Sequence, residues 1–70
     1  MYIVQFKEWS NNWSTMQDPE YFESFQDAVA RCSQFQGLFN VEYIGNNSYV
    51  ANGLEVWVEN STTSEVLHRN

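Results

Sequence analysis

Apolar residues at Tyr2, Val4 and Phe6 alternate with Ile3, Gln5 and Lys7 at the start of the chain, and Trp9 falls in phase with Ile3. A period of two over Met1–Trp9 predicts a strand with one strongly apolar face. Ser10-Asn11-Asn12 has the composition of a turn. Trp13–Met16 then reads as a short second strand returning on the first across a three-residue loop. "QDPEYF" (17–22) breaks the pattern. Pro19 pushes Asp18 out of the helical region, so an irregular stretch is expected there.

The period changes to that of a helix over Ser24–Gly37. Phe25, Ala28, Val29, Cys32 and Phe35 fall at i, i+3, i+4, i+7 and i+10, one face of a helix. Ser24 suits the N-cap, with Asp27 at the third helical position and favourable to the helix dipole. Gly37 suits the left-handed residue that ends a helix. A start at Asp18-Pro19 is the rival, since it would add Phe22 to the stripe. Alternation returns at Phe39–Ile44, with Phe39, Val41 and Tyr43 on one face. Gly45–Asn47 reads as a turn and Ser48–Ala51 as a short strand. Asn52-Gly53 is the strongest hairpin signal, because a type I′ turn needs positive φ at both central residues. Leu54–Glu59 reads as a last strand, Leu54, Val56 and Val58 inward and Glu55, Trp57 and Glu59 outward.

The elements predict an α+β, two-layer domain over residues 1–60. One helix (about 24–36) packs on one face of a 3–5 stranded antiparallel sheet, in the order β(β)αββ(β). The polar residues 61–70 are expected to fray, with Val66-Leu67 touching the body. The other face of the sheet has no helix to cover it.

Size matters because 70 residues bury only about 60% of their unfolded surface, leaving roughly 4,500 Å² exposed. Cys32 is the single cysteine, so no internal disulfide supports the fold, and a reducing cytoplasm is the expected setting. One Cys and one His (His68) are too few for a zinc site, and no cofactor or metal is expected. The N-terminus lacks a basic region followed by an apolar stretch, and no apolar run reaches membrane-spanning length. Sequons begin at Asn12, Asn46 and Asn60, but without an export signal they are read as accidents of an Asn- and Ser-rich chain.

Nine acids against three bases give a net charge of −6. That balance repels nucleic acid and anionic membranes. Lys7, Arg31 and Arg69 are too scattered to hold phosphates, so no direct nucleic-acid binding is expected. Twelve aromatic residues distinguish the chain from a disordered acidic one.

Catalytic chemistry finds little support. Cys32 sits on the apolar stripe, as a small buried hydrophobe would. Glu55 and Glu59 share a strand face but lie roughly 13 Å apart along it, too far for a glycosidase pair. Gly37, Gly45 and Gly53 are each accounted for by a turn or cap, and no phosphate loop or nucleophile elbow is present. No enzymatic activity is expected. What remains is a surface: Trp9, Trp13 and Trp57 as apolar anchors, with Glu8, Glu55 and Glu59 as an acidic rim. Aromatic anchors ringed by polar groups mark protein interfaces. Self-association through the open sheet face is the competing use.

In layout, "YIVQFKEW", "ESFQDAVARCSQF", "FNVEYI" and "LEVWVE" together resemble small bacteriophage-encoded accessory proteins, compact anti-CRISPR-type inhibitors among them. The resemblance spans about residues 2–59 and lies in architecture and composition, with no specific motif. It implies a non-catalytic module that binds a host or viral protein in the cytoplasm of an infected cell. It also admits a DNA mimic that occupies the basic groove of a nucleic-acid-binding protein, although nine carboxylates are few beside duplex DNA's charge per about 1.7 Å.

Overall fold

The computed structural model describes residues 1–69. Its elements run β1 (Tyr2–Ser10), β2 (Trp13–Met16), β3 (Glu20–Phe22), α1 (Phe25–Ser33), β4 (Phe39–Gly45), β5 (Ser48–Asn60) and β6 (Val66–Arg69). All strand pairs are antiparallel and belong to one six-stranded sheet with the central path β2-β1-β5-β4. The α+β class and the single helix are as expected, and the sheet exceeds the expected 3–5 strands.

The extra strands come from two segments expected to be irregular. Glu20–Phe22 follows Pro19 as an extended run and pairs with Tyr2–Val4 on the outer edge of β1, beside β2. The expected tail turns back instead. Asn60 accepts from the backbone N–H groups of Thr62 and Thr63 through Oδ1, at 2.8 and 3.1 Å, and Ser64 takes a positive φ of 61°. This tight turn returns β6 onto β5 at Trp57–Glu59. Asn70, the end of that expected tail, lies outside the described residues.

Two expected turns are corrected. Ser10 pairs with Trp13, so the first loop has two residues, Asn11 and Asn12, both at positive φ (50° and 70°). Twin positive φ values match the right-handed twist of a hairpin, which a flanking serine need not share. Asn52-Gly53 is no hairpin: β5 runs unbroken from Ser48 to Asn60. Only Gly53 has positive φ (108°), and it lies opposite both Trp9 and Phe39, where the strand passes between two neighbours. A Cβ at Gly53 would collide with the Leu38 carbonyl oxygen. The glycine serves a close backbone approach, and the real hairpin turn is Asn46–Asn47, at φ 54° and 59°.

Ser24 caps α1 as expected, its Oγ accepting from the Asp27 N–H at 3.4 Å. The helix ends at Ser33, earlier than the expected 36. Gln34, Phe35 and Gln36 donate to the carbonyls of Arg31, Cys32 and Ser33, three residues back. These tighter bonds unwind the last turn before Gly37 reverses the chain at φ 83°. The core is the sandwich of Val4, Phe6, Val56 and Val58 against Ala28 and Cys32, with Tyr2, Phe22, Val29, Phe35 and Leu54 around it.

The helix covers only part of the sheet. It packs on β1, β3 and β5, while β4 and the first half of β5 extend beyond it as an arm. The molecule is accordingly 43 Å long and 21 by 18 Å across. Its surface of 4911 Å² exceeds the roughly 4,500 Å² that its size predicts. Among the described residues no helix is long and apolar enough to cross a membrane.

Candidate interaction surface

Strand alternation sorts the expected anchors onto two faces. Val4, Phe6, Val56 and Val58 point at the helix, so Ile3, Gln5, Lys7 and Trp9 point away from it. Opposite these stand Glu59, Trp57, Glu55 and Gly53 in register. Trp9, Trp57, Glu55 and Glu59 therefore share the uncovered face. Glu8 pairs with Leu54 on the helix side, and Trp13 pairs with Ser10 on that side too. Trp13 lies beyond the helix and is 81% exposed. The six residues thus fall into one group of four and two outliers.

On the uncovered face, each indole is anchored to a carboxylate. Trp9 Nε1 donates to Glu55 Oε1 at 2.9 Å, and Trp57 Nε1 donates to Glu59 Oε1 at 2.8 Å. Arg69 closes the network, donating to Glu55 Oε2 at 3.2 Å while its guanidinium lies 6.0 Å from the Trp57 ring centroid. Lys7 Nζ stands 4.8 Å from the Trp9 ring centroid, and the Trp9 and Phe39 rings meet at 6.0 Å on either side of side-chain-free Gly53. Both indoles are half-buried. Lys7 and Arg69 match Glu55 and Glu59 in number, so this face carries no net charge.

The face continues onto the arm. Val41 lies opposite Ala51 and Tyr43 opposite Tyr49, in phase with Phe39. The two tyrosine rings meet at 5.3 Å, tilted by 55°, and Val41, Tyr43, Ile44 and Tyr49 are all more than half exposed. The alternation of Phe39, Val41 and Tyr43 is plain in the sequence. Its exposure is not, because the false turn at Asn52-Gly53 conceals an arm that outruns the helix. Arg69 falls in the segment expected to fray and so is absent from the expected site.

Glu8 and Glu20 lie on the other face, the helix side of β1 and β3. Among the described residues the ion pairs are Glu55–Arg69 and Glu20–Arg31. Glu20 grips Arg31 with both oxygens, at 2.8 and 3.0 Å, and this holds its carboxyl below the usual range and the guanidinium above its own. Arg31 also stacks on Phe35 at 4.8 Å and donates to Gln34 at 2.7 Å. It forms one wall of an open cleft of about 440 Å³ with Phe6, Phe35 and Leu54 as floor and Glu8, Asp18 and Glu20 at the rim. Its charge is already satisfied, so it offers no free cation to a substrate.

Cys32 is fully buried and donates to the Val56 carbonyl at 3.6 Å; burial pushes its thiol pKa up, away from a reactive thiolate. No group of three or more His, Cys, Asp or Glu among the described residues is arranged to hold a metal ion. At Asn12, the amide nitrogen that a glycan would occupy donates to the Tyr49 carbonyl at 2.9 Å.

Compared with protein-family models, curated proteins and solved structures, the chain matches none of them.

Proposed function

We propose that the chain is a non-enzymatic module that binds a host or viral protein in the cytoplasm, using the uncovered sheet face around Trp9 and Trp57. The observation behind this reading is the fixing of both indoles by carboxylates, Trp9 to Glu55 and Trp57 to Glu59. Aromatic groups already held in place lose little freedom on association, which favours their use as anchors. The charge balance of the face suits a partner patch that is apolar and nearly neutral. The resemblance in layout to phage-encoded accessory proteins agrees with such a role, and the buried Cys32 favours a non-catalytic one.

The test uses the chain as bait in a lysate of the host, followed by titration calorimetry on the protein recovered. Trp57→Ala should weaken binding about tenfold or more, as loss of a central anchor does, while Trp13→Ala leaves it within about twofold. Equal binding by wild type and Trp57→Ala sinks this reading.

A DNA mimic is the second reading, favoured by the charge distribution. Glu8, Asp18, Glu20, Glu23 and Asp27 lie along β1, β3, α1 and their connections, against two bases on the same elements, Lys7 and Arg31. In that role binding weakens steeply between low and moderate salt and depends on Glu8 and Asp18 rather than on Trp57.

A further inference from the structure

The outer edge of β4 is the longest strand edge left without a partner among the described residues. The direction of its backbone groups follows from one bond. Leu54 N–H donates to the Leu38 carbonyl at 3.0 Å, which makes 38 and 54 a hydrogen-bonded pair. Such pairs alternate along an antiparallel ladder, so 40/52 and 42/50 follow. The N–H and C=O groups of Phe39, Val41 and Tyr43 therefore point outward, away from β5. The opposite edge of the arm obeys the same parity: Ala51 and Tyr49 point outward there, and Asn12 covers them. One edge of the arm is closed by a dedicated side chain and the other is open.

Little in "FNVEYIG" protects that edge beyond the single charge of Glu42. It has no proline, no lysine, and a bulge only at its end, between Tyr43 and Gly45. Across residues 39–53 the only charge is Glu42, so the net charge of −6 sits almost wholly outside the arm. Two copies approaching arm to arm keep their acidic bodies apart.

We propose that a second copy of the chain occupies this edge, pairing β4 with β4 about a two-fold axis beside Val41. In this register Val41 faces its own counterpart, Phe39 faces the second copy's Tyr43, and Asn40 faces the second copy's Glu42. The three outward-pointing residues of each strand then form about six interchain backbone hydrogen bonds. Phe39 and Tyr43 make aromatic cross-strand pairs, and each Glu42 carboxylate meets an amide. Shifting the register by two residues sets Glu42 directly against Glu42, a like-charge contact that disfavours it. The opposite shift leaves Tyr43 unpaired. The edge is separate from the Trp9–Trp57 face, which stays open on both copies of the continuous sheet.

Analytical ultracentrifugation tests the pairing. An edge interface is smaller than the standard ~800 Å² per partner, so dimers should populate between about 1 and 500 µM. Val41→Pro removes an outward N–H that β5 does not use, and Val41→Lys adds a charge to the edge. Both should remain monomeric across that range with native circular dichroism. An oxidised mixture of Asn40→Cys and Glu42→Cys chains should form a mixed disulfide across this close, non-hydrogen-bonded pair. Wild type that stays monomeric throughout overturns the proposal. So does a folded Val41→Pro variant that dimerises as well as wild type, or cross-linking of Glu42→Cys only to itself.

Discussion

Asn12 stands in for a strand beside Ala51. Its backbone N–H donates to the Ala51 carbonyl at 3.2 Å, and its Oδ1 accepts from the Ala51 N–H at 2.7 Å. Its Nδ2 then donates to the Tyr49 carbonyl at 2.9 Å. A side-chain amide thus continues the ladder past the point where β1 ends. Asn12→Gly keeps the positive φ of 70° but loses both side-chain bonds, a cost of about 1–3 kcal/mol. Asn12→Ala should cost about 1–2 kcal/mol more, because the left-handed conformation is strained for a residue with a Cβ. Urea denaturation measures both. Amide exchange at Ala51 should speed up in Asn12→Gly; unchanged protection there contradicts the edge-capping role.

Gly53 is the second point where one residue sets the backbone path. Gly53→Ala places a Cβ against the Leu38 carbonyl oxygen at a φ of 108°. Strain and collision together should cost about 3 kcal/mol or more. Gly37, which has open space around it, is the control: Gly37→Ala should cost only the penalty for positive φ, about 1–2 kcal/mol. Equal losses at the two positions would refute the close approach.

Most of the core was legible in the sequence and most of the edges were not. Val4, Phe6, Val56 and Val58 announce themselves by alternation, and Ala28 and Cys32 by helical spacing, because burial imposes a period. Asn-Gly at 52–53 is ambiguous in sequence because its two uses, turn and close approach, look alike locally. Only the Leu38 carbonyl, distant in the chain, distinguishes them. The Asn46–Asn47 and Asn11–Asn12 turns carry weaker signals than Asn-Gly yet take the twin positive φ values. The 61–69 segment reads as a polar tail because its order comes from hydrogen bonds to Asn60 rather than from apolar period. The same limit hid part of the surface. Trp9, Trp57, Glu55 and Glu59 follow from strand phase, whereas Arg69 joins them only through the turn that Asn60 builds.

Glu20 and Arg31 give the fold an acid-sensitive joint between β3 and α1. The guanidinium's hydrogen bonds lower the Glu20 pKa from its ordinary 4.5. A depressed carboxylate stabilises the fold fully above its unfolded pKa, and that stabilisation disappears as pH falls through the lower folded value. Glu20→Gln removes the titration while keeping the shape. As pH falls below the ordinary 4.5, wild-type Tm should therefore fall more steeply than that of the variant, with the difference in Tm narrowing toward acid. The pair is partly exposed, so the effect should shrink in high salt. Parallel Tm-against-pH curves would show that the pair does not couple to folding.

Trp13 and Trp57 should separate in both light and stability. Trp13 is 81% exposed, while Trp57 is half-buried, bonded to Glu59 and covered by Arg69. Acrylamide should quench one tryptophan far more readily than the other two, and Trp13→Phe should abolish that component and shift the remaining emission to the blue. Trp13→Ala should change stability by less than about 0.5 kcal/mol, as surface substitutions do. Trp57→Ala removes ring contacts and strands the Glu59 carboxylate only at a solvent-accessible site, so it should cost about 1–2 kcal/mol and leave the protein folded. That margin makes Trp57→Ala a usable probe of partner binding. Were Trp57→Ala to unfold the protein at room temperature, the indole would belong to the core rather than to a surface, and quenching of wild type would show whether it is shielded to that degree.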